Sequence, residues 1–477
     1  MTFEGDWLGV APCYHADCED GVLISSRLID LLAIEPGLAK PPDRLGLIEF
    51  VLFRNPLGGR TLHQAVRRTE SGHVLSYDRA SGFSIATRPR LALGGETVCT
   101  PEEAVDSTIA LLTGSLRTLA SRRPKRLALA LSGGFDSRLL AAVCQAAGLP
   151  FTAYTYGVDW QREVKIANRT ARALGIQTVP LGYPETTILD DLPLYLRVVE
   201  GQADYSAVQI ANLLRIEDKP RQVLLHGFLG DSIAGSHYLK LPPEAYRSRS
   251  DLARAIVLRA AGSDLVAACR LLHVSVSIDE LLDEVERGLD PALPTFRAFR
   301  MWDLQNRQRR YIGAQVRLLG ATLETAAPFY DRAYAGFYLS LGQPLIHNRH
   351  LTKLTFRSRF PRLAAIPRSD DDLPLLPGFM DRIAGWTRAT GRRVFGMYPL
   401  DRLAWRMRAM RGPDFWDRAS GNRLRPAFLD GADRTLPALA DVLGIAVDAK
   451  ELRDVRPSTL LLRTVFALGA YARFASE

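Results

Sequence analysis

The chain is 477 residues long, 47% hydrophobic and 24% charged, with a formal net charge of +9, which allows two or three globular domains. No apolar run reaches membrane-span length, and Glu4 and Asp6 argue against a signal peptide; five scattered Cys suit a reducing compartment, so the expected location is the cytoplasm. Neither an internal repeat nor a low-complexity segment interrupts the chain.

In chain order, the first chemistry-bearing cluster is Cys13-Tyr-His15-Ala-Asp-Cys18. No second Cys/His pair completes a tetrahedral metal site, so these read as core or surface thiols. A linker is expected near Gly94 to Cys99. Thr100-Pro101-Glu102-Glu103 is a capping box with Pro at the first helical position, which starts a helix running to about Ser121. Leu127 to Leu131 is an uninterrupted apolar run, as in a strand buried on both faces of a parallel sheet.

Directly after it comes Ser132-Gly133-Gly134-Phe135-Asp136-Ser137 and then a helical pattern to Ala147, closed by Gly148 and Pro150. Two glycines at a strand-to-helix turn let backbone N–H groups converge on an anion where the helix dipole also favours negative charge. Ser132 and Ser137 add hydroxyl donors. Asp136 would repel bare phosphate, so its place there makes sense with a divalent cation, Mg²⁺, bridging carboxylate and phosphate. A Gly turn capping a helix is the plainer alternative.

Phe151 to Tyr156 then reads as a strand, Gln161 to Leu174 as a helix closed by Gly175, and the stretch near Gln177 to Pro180 as a short strand. Two further helical stretches precede a strand at Arg221 to His226. Gly227-Phe-Leu-Gly230-Asp231-Ser232 turns away from its C-terminal end, where ligands bind in such sheets. Asp231 there suits a helix N-cap, and His226 suits a satisfied core residue better than a base. Residues 381 to 412 interleave Arg392, Arg393, Arg406, Arg408 and Arg411 with Trp386, Phe395, Trp405 and Met407. A solvated helix face explains this stretch; nucleic acid, an acidic peptide or a membrane surface is the alternative.

The Ser132 to Ser137 loop resembles the pyrophosphate loop of the ATP pyrophosphatases, which split ATP into AMP and pyrophosphate. It lacks the Lys and the spacing of the kinase-type phosphate loop. Within that superfamily the order of motifs is most similar to the synthetase domain of asparagine synthetases and of their relatives that make β-lactams and lasso-peptide macrolactams, over roughly residues 101 to 370. The resemblance implies an α/β fold: a parallel-sheet ATP-pyrophosphatase domain with added helices over residues 100–477, its C-terminal region helical, preceded by a small α+β domain over residues 1–95. It also implies ATP and Mg²⁺ as cofactors. Leu131, Ser132, Gly133, Gly134, Asp136, Ser137, Tyr156, Gly157, His226, Gly227 and Gly230 would line the nucleotide, Asp136 and Asp231 would hold the metal, and Glu324 with Pro328-Phe329-Tyr330-Asp331 would face the acceptor.

The chain departs from the family pattern at two places. Ala326 stands where the family carries an Arg two residues after the Glu, and no clear Lys follows Ile366-Pro367-Arg368, which continues as Ser369-Asp370-Asp371-Asp372. Lys353 or Arg368 is left to supply charge there, Arg only as a phosphate ligand because it does not deprotonate. At the front, residue 2 is Thr where the family's glutaminase has its nucleophilic Cys, while Gly21 to Arg27 and Thr61 to Leu75 resemble the second half of that domain. Residues 1–95 are therefore read as a shortened glutaminase-like domain without glutaminase activity.

Three functions compete. The first is an ATP-dependent ligase that adenylates a small-molecule or peptide carboxylate and lets ammonia or an amine displace AMP, with a partner protein delivering the substrate and a homodimer both left open. The second is a nucleotide-binding scaffold or partner subunit that no longer catalyses. The third is a tRNA-modifying pyrophosphatase, disfavoured because Cys144 looks buried and alone; nucleic acid is not an expected partner. The ligase reading is adopted.

Overall fold

The computed structural model describes residues 2–87, 95–122, 126–157, 162–182, 187–237, 241–261, 264–367, 435–447 and 459–476. Its N-terminal part runs β1 (Thr2–Glu4), β2 (Tyr14–Cys18), β3 (Gly21–Ser25), α1 (Leu28–Ile34), α2 (Arg44–Phe53), β4 (Arg67–Arg68), β5 (His73–Asp78) and β6 (Gly82–Thr87). These strands form two antiparallel sheets ordered β1-β5-β6 and β3-β2-β4. Alternation along β2 buries Tyr14 and Ala16 and leaves Asp17 in solvent. Asp43 caps α2, its carboxylate accepting from Gly46 N at 2.8 Å. The small α+β unit expected at the front of the chain is present.

The linker region enters the next unit along α13, described below: Thr97 N donates to Ser340 O at 2.9 Å, and residues 88–94 lie outside the described residues. Helix α3 (Pro101–Arg122) begins on the anticipated capping box, with Thr100 N donating to Glu103 Oε2 at 2.8 Å and Glu103 N to Thr100 Oγ1 at 3.2 Å. After it come β7 (Arg126–Ala130), α4 (Phe135–Ala146), β8 (Phe151–Tyr156), α5 (Arg162–Ala173), β9 (Thr178–Leu181) and α6 (Thr187–Val199). The second helical stretch anticipated before the next strand is a 3₁₀ segment, Tyr205–Arg215, not an α-helix. Strand β10 (Gln222–Leu225) and helix α7 (Gly230–Ile233) follow.

A helical layer comes next: α8 (Arg249–Ala261), α9 (Asp264–Leu271), α10 (Ile278–Arg287), α11 (Thr295–Asp303), a π-helix at Leu304–Ile312, and α12 (Gly313–Gly320). The chain returns to the sheet in β11 (Glu324–Ala326) and leaves it through a 3₁₀ turn at Pro328–Tyr330, α13 (Arg332–Ser340), α14 (Gln343–Ile346), α15 (His350–Arg359) and α16 (Pro361–Ala364).

All five strands of the central sheet are parallel, in the order β11-β10-β7-β8-β9. Leu127, Ala128 and Leu129 of β7 and Val223, Leu224 and Leu225 of β10 are buried, because helices cover both faces of a parallel sheet. From β7 the chain crosses to β8 and β9 on one side, then returns to β10 and β11 on the other. The loops that follow β7 and β10 therefore open into one crevice at the switch point.

Helix Thr459–Ser476 packs across both units, against α2 and α6. Its Tyr471 hydroxyl lies 2.8 Å from His63 Nε2, whose Nδ1 lies 2.8 Å from Ala39 O, so the buried imidazole is fixed by a donor and an acceptor. A Cβ on Gly201, at φ +64, would stand 2.3 Å from Tyr471 Cγ. Among the described residues no helix is long and apolar enough to cross a membrane, and all five cysteines are free thiols.

Two outcomes follow. Gly201→Ala forces a left-handed backbone and a clash at once; a cost of about 1 kcal/mol or more should lower the thermal midpoint by circular dichroism, and an unchanged midpoint would contradict the docking of the C-terminal helix there. Burial pushes the His63 imidazole down to about 4 from 6.5. The unfolded chain takes up that proton first, so this contribution to stability is complete above pH 6.5 and is lost as the pH falls toward 4. Denaturant melts across this range should show a shallower acid loss in His63→Gln than in the wild type.

Candidate active site

Strand β7 ends at Ala130, and Leu131 N still donates to Tyr154 O at 2.8 Å, so the loop leaves the sheet at Ser132. The loop is braced on itself. Ser132 N donates to Ser137 Oγ at 3.1 Å and Gly134 N to Ser132 Oγ at 3.2 Å, and the two hydroxyls stand 3.1 Å apart. The serines thus shape the turn as well as offering donors. Gly134 caps α4 without a side-chain hydrogen bond, so the N–H groups of its first turn have no side-chain cap. That end of a 12-residue helix is fitted to an anion.

The second loop comes up against the first at Asp136. A Cβ on Gly227 would lie 2.9 Å from Asp136 Cβ, and one on Gly230 would lie 2.6 Å from Asp136 Cγ. Leu229 between them has φ +69, a conformation that side-chain-bearing residues adopt at a cost and that concentrates at functional sites. Both glycines are required by close approach to a carboxylate, and Asp231 follows the second directly.

Asp231 is not an N-cap: Leu229 holds that position of α7, and the Asp231 side chain, 44% exposed, turns to Ser236 Oγ at 3.3 Å and His237 Nε2 at 3.4 Å. Desolvation opposes its charge, but His237, then Arg349 and Arg307, outweigh this and hold the carboxyl well below the usual carboxylate range. His237 is itself clamped by Asp303 at 2.9 Å, which Gln308 holds at 3.0 Å. Burial pulls its imidazole down, and Asp303 with Asp231 pulls it further up. His226 differs from the satisfied core residue anticipated for it. Its backbone N–H donates to Ala326 O at 3.1 Å, but its Nε2 is buried without a partner, and burial drives the ring down to about 4, leaving it neutral.

Arg349, to which no motif points, ion-pairs with Asp136 and lays its guanidinium over the Phe135 ring, 4.7 Å from the centroid. Arg138, fully buried, donates to Gly133 O at 3.3 Å and to Leu363 O, Ile366 O and Pro367 O at 3.2, 2.9 and 3.0 Å. The segment leading to Arg368 is thereby tied to the glycine loop. Arg368 itself and the Arg-rich residues 381–412 lie outside the described residues. Lys353 is half-buried in the first turn of α15, one turn beyond Arg349.

Among the residues expected to face the acceptor, Glu324 opens β11 opposite Val223 and is half-buried in that strand. Tyr330 faces the N-terminal unit: Trp7 stacks on it at 4.7 Å, Trp7 Nε1 donates to Tyr330 O at 3.0 Å, and its hydroxyl bonds Asp6. Asp331 caps α13 through Ala333 N and Tyr334 N. Tyr156, half-buried, ends β8 with its hydroxyl pushed up by desolvation, and Gly157 follows at φ +128. Cys144 is buried in α4, its thiol pushed up to about 12, which suits no redox role.

Asp136 and Asp231 flank Gly230, yet among the described residues no group of three or more His, Cys, Asp or Glu side chains stands ready to hold a metal ion. Two carboxylates and a phosphate-accepting helix end fit Mg²⁺ shared with substrate phosphates, the manner in which that ion is usually bound. The family model described as asparagine synthase matches residues 110–368, from within α3 through α16. No curated protein matches the chain.

Because Gly230 leaves no room beside Asp136, Gly230→Ala should displace that carboxylate and weaken MgATP binding about tenfold or more by calorimetry. Wild-type affinity in a folded variant would show that this packing does not set the site.

Proposed function

From the premise that this chain belongs to the asparagine synthase family, and so to enzymes of ATP-dependent amide synthesis, we propose that it joins a carboxylate to an amine while ATP is cleaved to AMP and pyrophosphate. The observation that carries this is the packing of Gly230, which directly precedes Asp231, against the Asp136 carboxyl in the first turn of α4, a helix whose N-terminus has no side-chain cap. Asp136, Asp231 and the first-turn N–H groups of α4 bind and orient the polyphosphate end, and Leu131 to Ser137, Gly227 and Gly230 keep side chains from between it and the backbone. Mg²⁺ held by the two carboxylates would neutralise charge on the departing pyrophosphate. Tyr156, Gly157 and His226 line the nucleotide further out, and Glu324 faces the acceptor. Lys353 or Arg368 is the cation left by the sequence to replace the family's missing Lys, Arg368 only toward phosphate charge. Positioning and charge stabilisation supply the rate, without a covalent nucleophile.

Residues 1–95 are proposed to be a shortened glutaminase-like domain that releases no ammonia. Thr2 lies within β1, paired with Ser76, and the Trp7–Tyr330 stack presses the unit against the acceptor side. The nitrogen would then come from free ammonia or from an amine of the substrate itself, which includes closure of a macrolactam or amidation of a specialised metabolite.

With ATP, Mg²⁺ and a panel of carboxylates and amines, the protein should produce AMP, pyrophosphate and an amide in equal amounts, and Asp136→Asn should lower the rate about 100-fold or more. ADP and phosphate as products, or turnover indifferent to Asp136→Asn, would sink the ligase reading. Nucleotide binding without turnover would identify a scaffold.

A further inference from the structure

Arg349 is placed by an unusual stretch of backbone. Asn348 (φ 53, ψ 33) and Arg349 (φ 58, ψ 36) are consecutive left-handed residues at the start of α15. Asn tolerates that conformation; Arg does not do so readily, and such strain persists where surrounding contacts impose it. The contacts are visible. Just before this turn, the end of α14 packs on the turn after α7 so closely that a Cβ on Gly235 would stand 2.3 Å from Ile346 O. The Phe135 ring then supports the guanidinium from the first turn of α4. Held this way, Arg349 pairs with Asp136 Oδ1 with its side chain 12% exposed, and its buried Nε has no hydrogen-bond partner among the described residues.

Asp136 can offer a divalent cation Oδ2 while Arg349 holds Oδ1, but the two positive charges then share one carboxylate and repel each other. A polyphosphate resolves the conflict, because it offers Arg349 an anion within reach while it shares the divalent ion with Asp136. Resting on the nucleotide site proposed above, we propose that Arg349 is a nucleotide-binding residue that competes with the divalent cation for Asp136, so that the cation enters with the nucleotide and not ahead of it. It supplies, from the start of α15, positive charge that the altered segment after Pro367 does not supply as Lys.

The test uses the full-length chain, with Mn²⁺ alone and ATP alone as probes. Mn²⁺ binding without nucleotide, followed by electron paramagnetic resonance, should tighten about tenfold in Arg349→Ala, and ATP binding in EDTA, followed by calorimetry, should weaken about tenfold. Arg349→Lys should stay near wild type in both, and adding Asp136→Asn to Arg349→Ala should abolish the gained Mn²⁺ affinity. If Arg349→Ala does not fold, Arg349→Gln keeps most of the side chain without its charge and carries the same expectation. An unchanged or weaker Mn²⁺ affinity, or an unchanged ATP affinity, overturns the proposal. A wild type that binds MnATP beside such variants leaves the ligase reading standing; a wild type that binds no nucleotide at all removes both.

Discussion

The candidate site depends on one close approach: the second glycine loop lies so near Asp136 that neither Gly227 nor Gly230 has room for a methyl group. That approach is possible because β10 pairs in parallel with β7, Gln222 opposite Arg126 through Leu225 opposite Leu129, so the strands end level. Buried aliphatic residues on both strands hold this register. Whatever moves the sheet by a residue separates the two loops, and with them the two carboxylates.

Around that contact the charges are arranged in opposition. Cations meet both carboxylates: Arg349 on Asp136, His237 on Asp231, and Arg307 reaching His237 at 3.5 Å. Burial in the crevice opposes charge on Asp231, and His237, Arg349 and Arg307 outweigh it. Arg138 works differently, since its hydrogen bonds go to carbonyl oxygens while its guanidinium also stands over the Phe135 ring, and it serves as a buried clamp between the glycine loop and the segment through Pro367.

The π-helix at Leu304–Ile312 joins this electrostatic layer to the N-terminal unit. Long π segments are rare and collect at functional sites. Here one sends Arg307 toward His237, while Arg309 donates to Gly58 O at 2.9 Å and Arg310 to Gly58 O at 2.6 Å. Within the N-terminal unit Arg68 does likewise, donating to Gly9 O and Val10 O at 3.0 and 3.1 Å. The Arg309 and Arg310 guanidiniums, which spend donors on a loop carbonyl across the interface, make the two units structurally interdependent, and the Trp7–Tyr330 stack extends this contact to the turn after β11.

Much of this was legible along the chain. The apolar run before Ser132, the capping box at Thr100 and the glycines after Leu225 are local signals, each with a local physical cause: burial on both faces, satisfied N–H groups, and a turn with no room for a side chain. Sequence by itself therefore determined the parallel sheet, the phosphate-accepting turn and the pairing of Asp136 with Asp231 as candidates. Arg349, His237, Arg307 and Arg138 carry no spacing rule, because their roles come from elements far apart in sequence that packing alone brings together; an Asn before a helix marked a turn at Asn348 but not its target. Likewise His226 read as a satisfied core residue, yet its Nε2 is left unpartnered by neighbours that only the fold supplies. Tertiary structure decided which cation meets which carboxylate, since a charge's partner is set by distance in space, and sequence encodes that distance only through the whole fold.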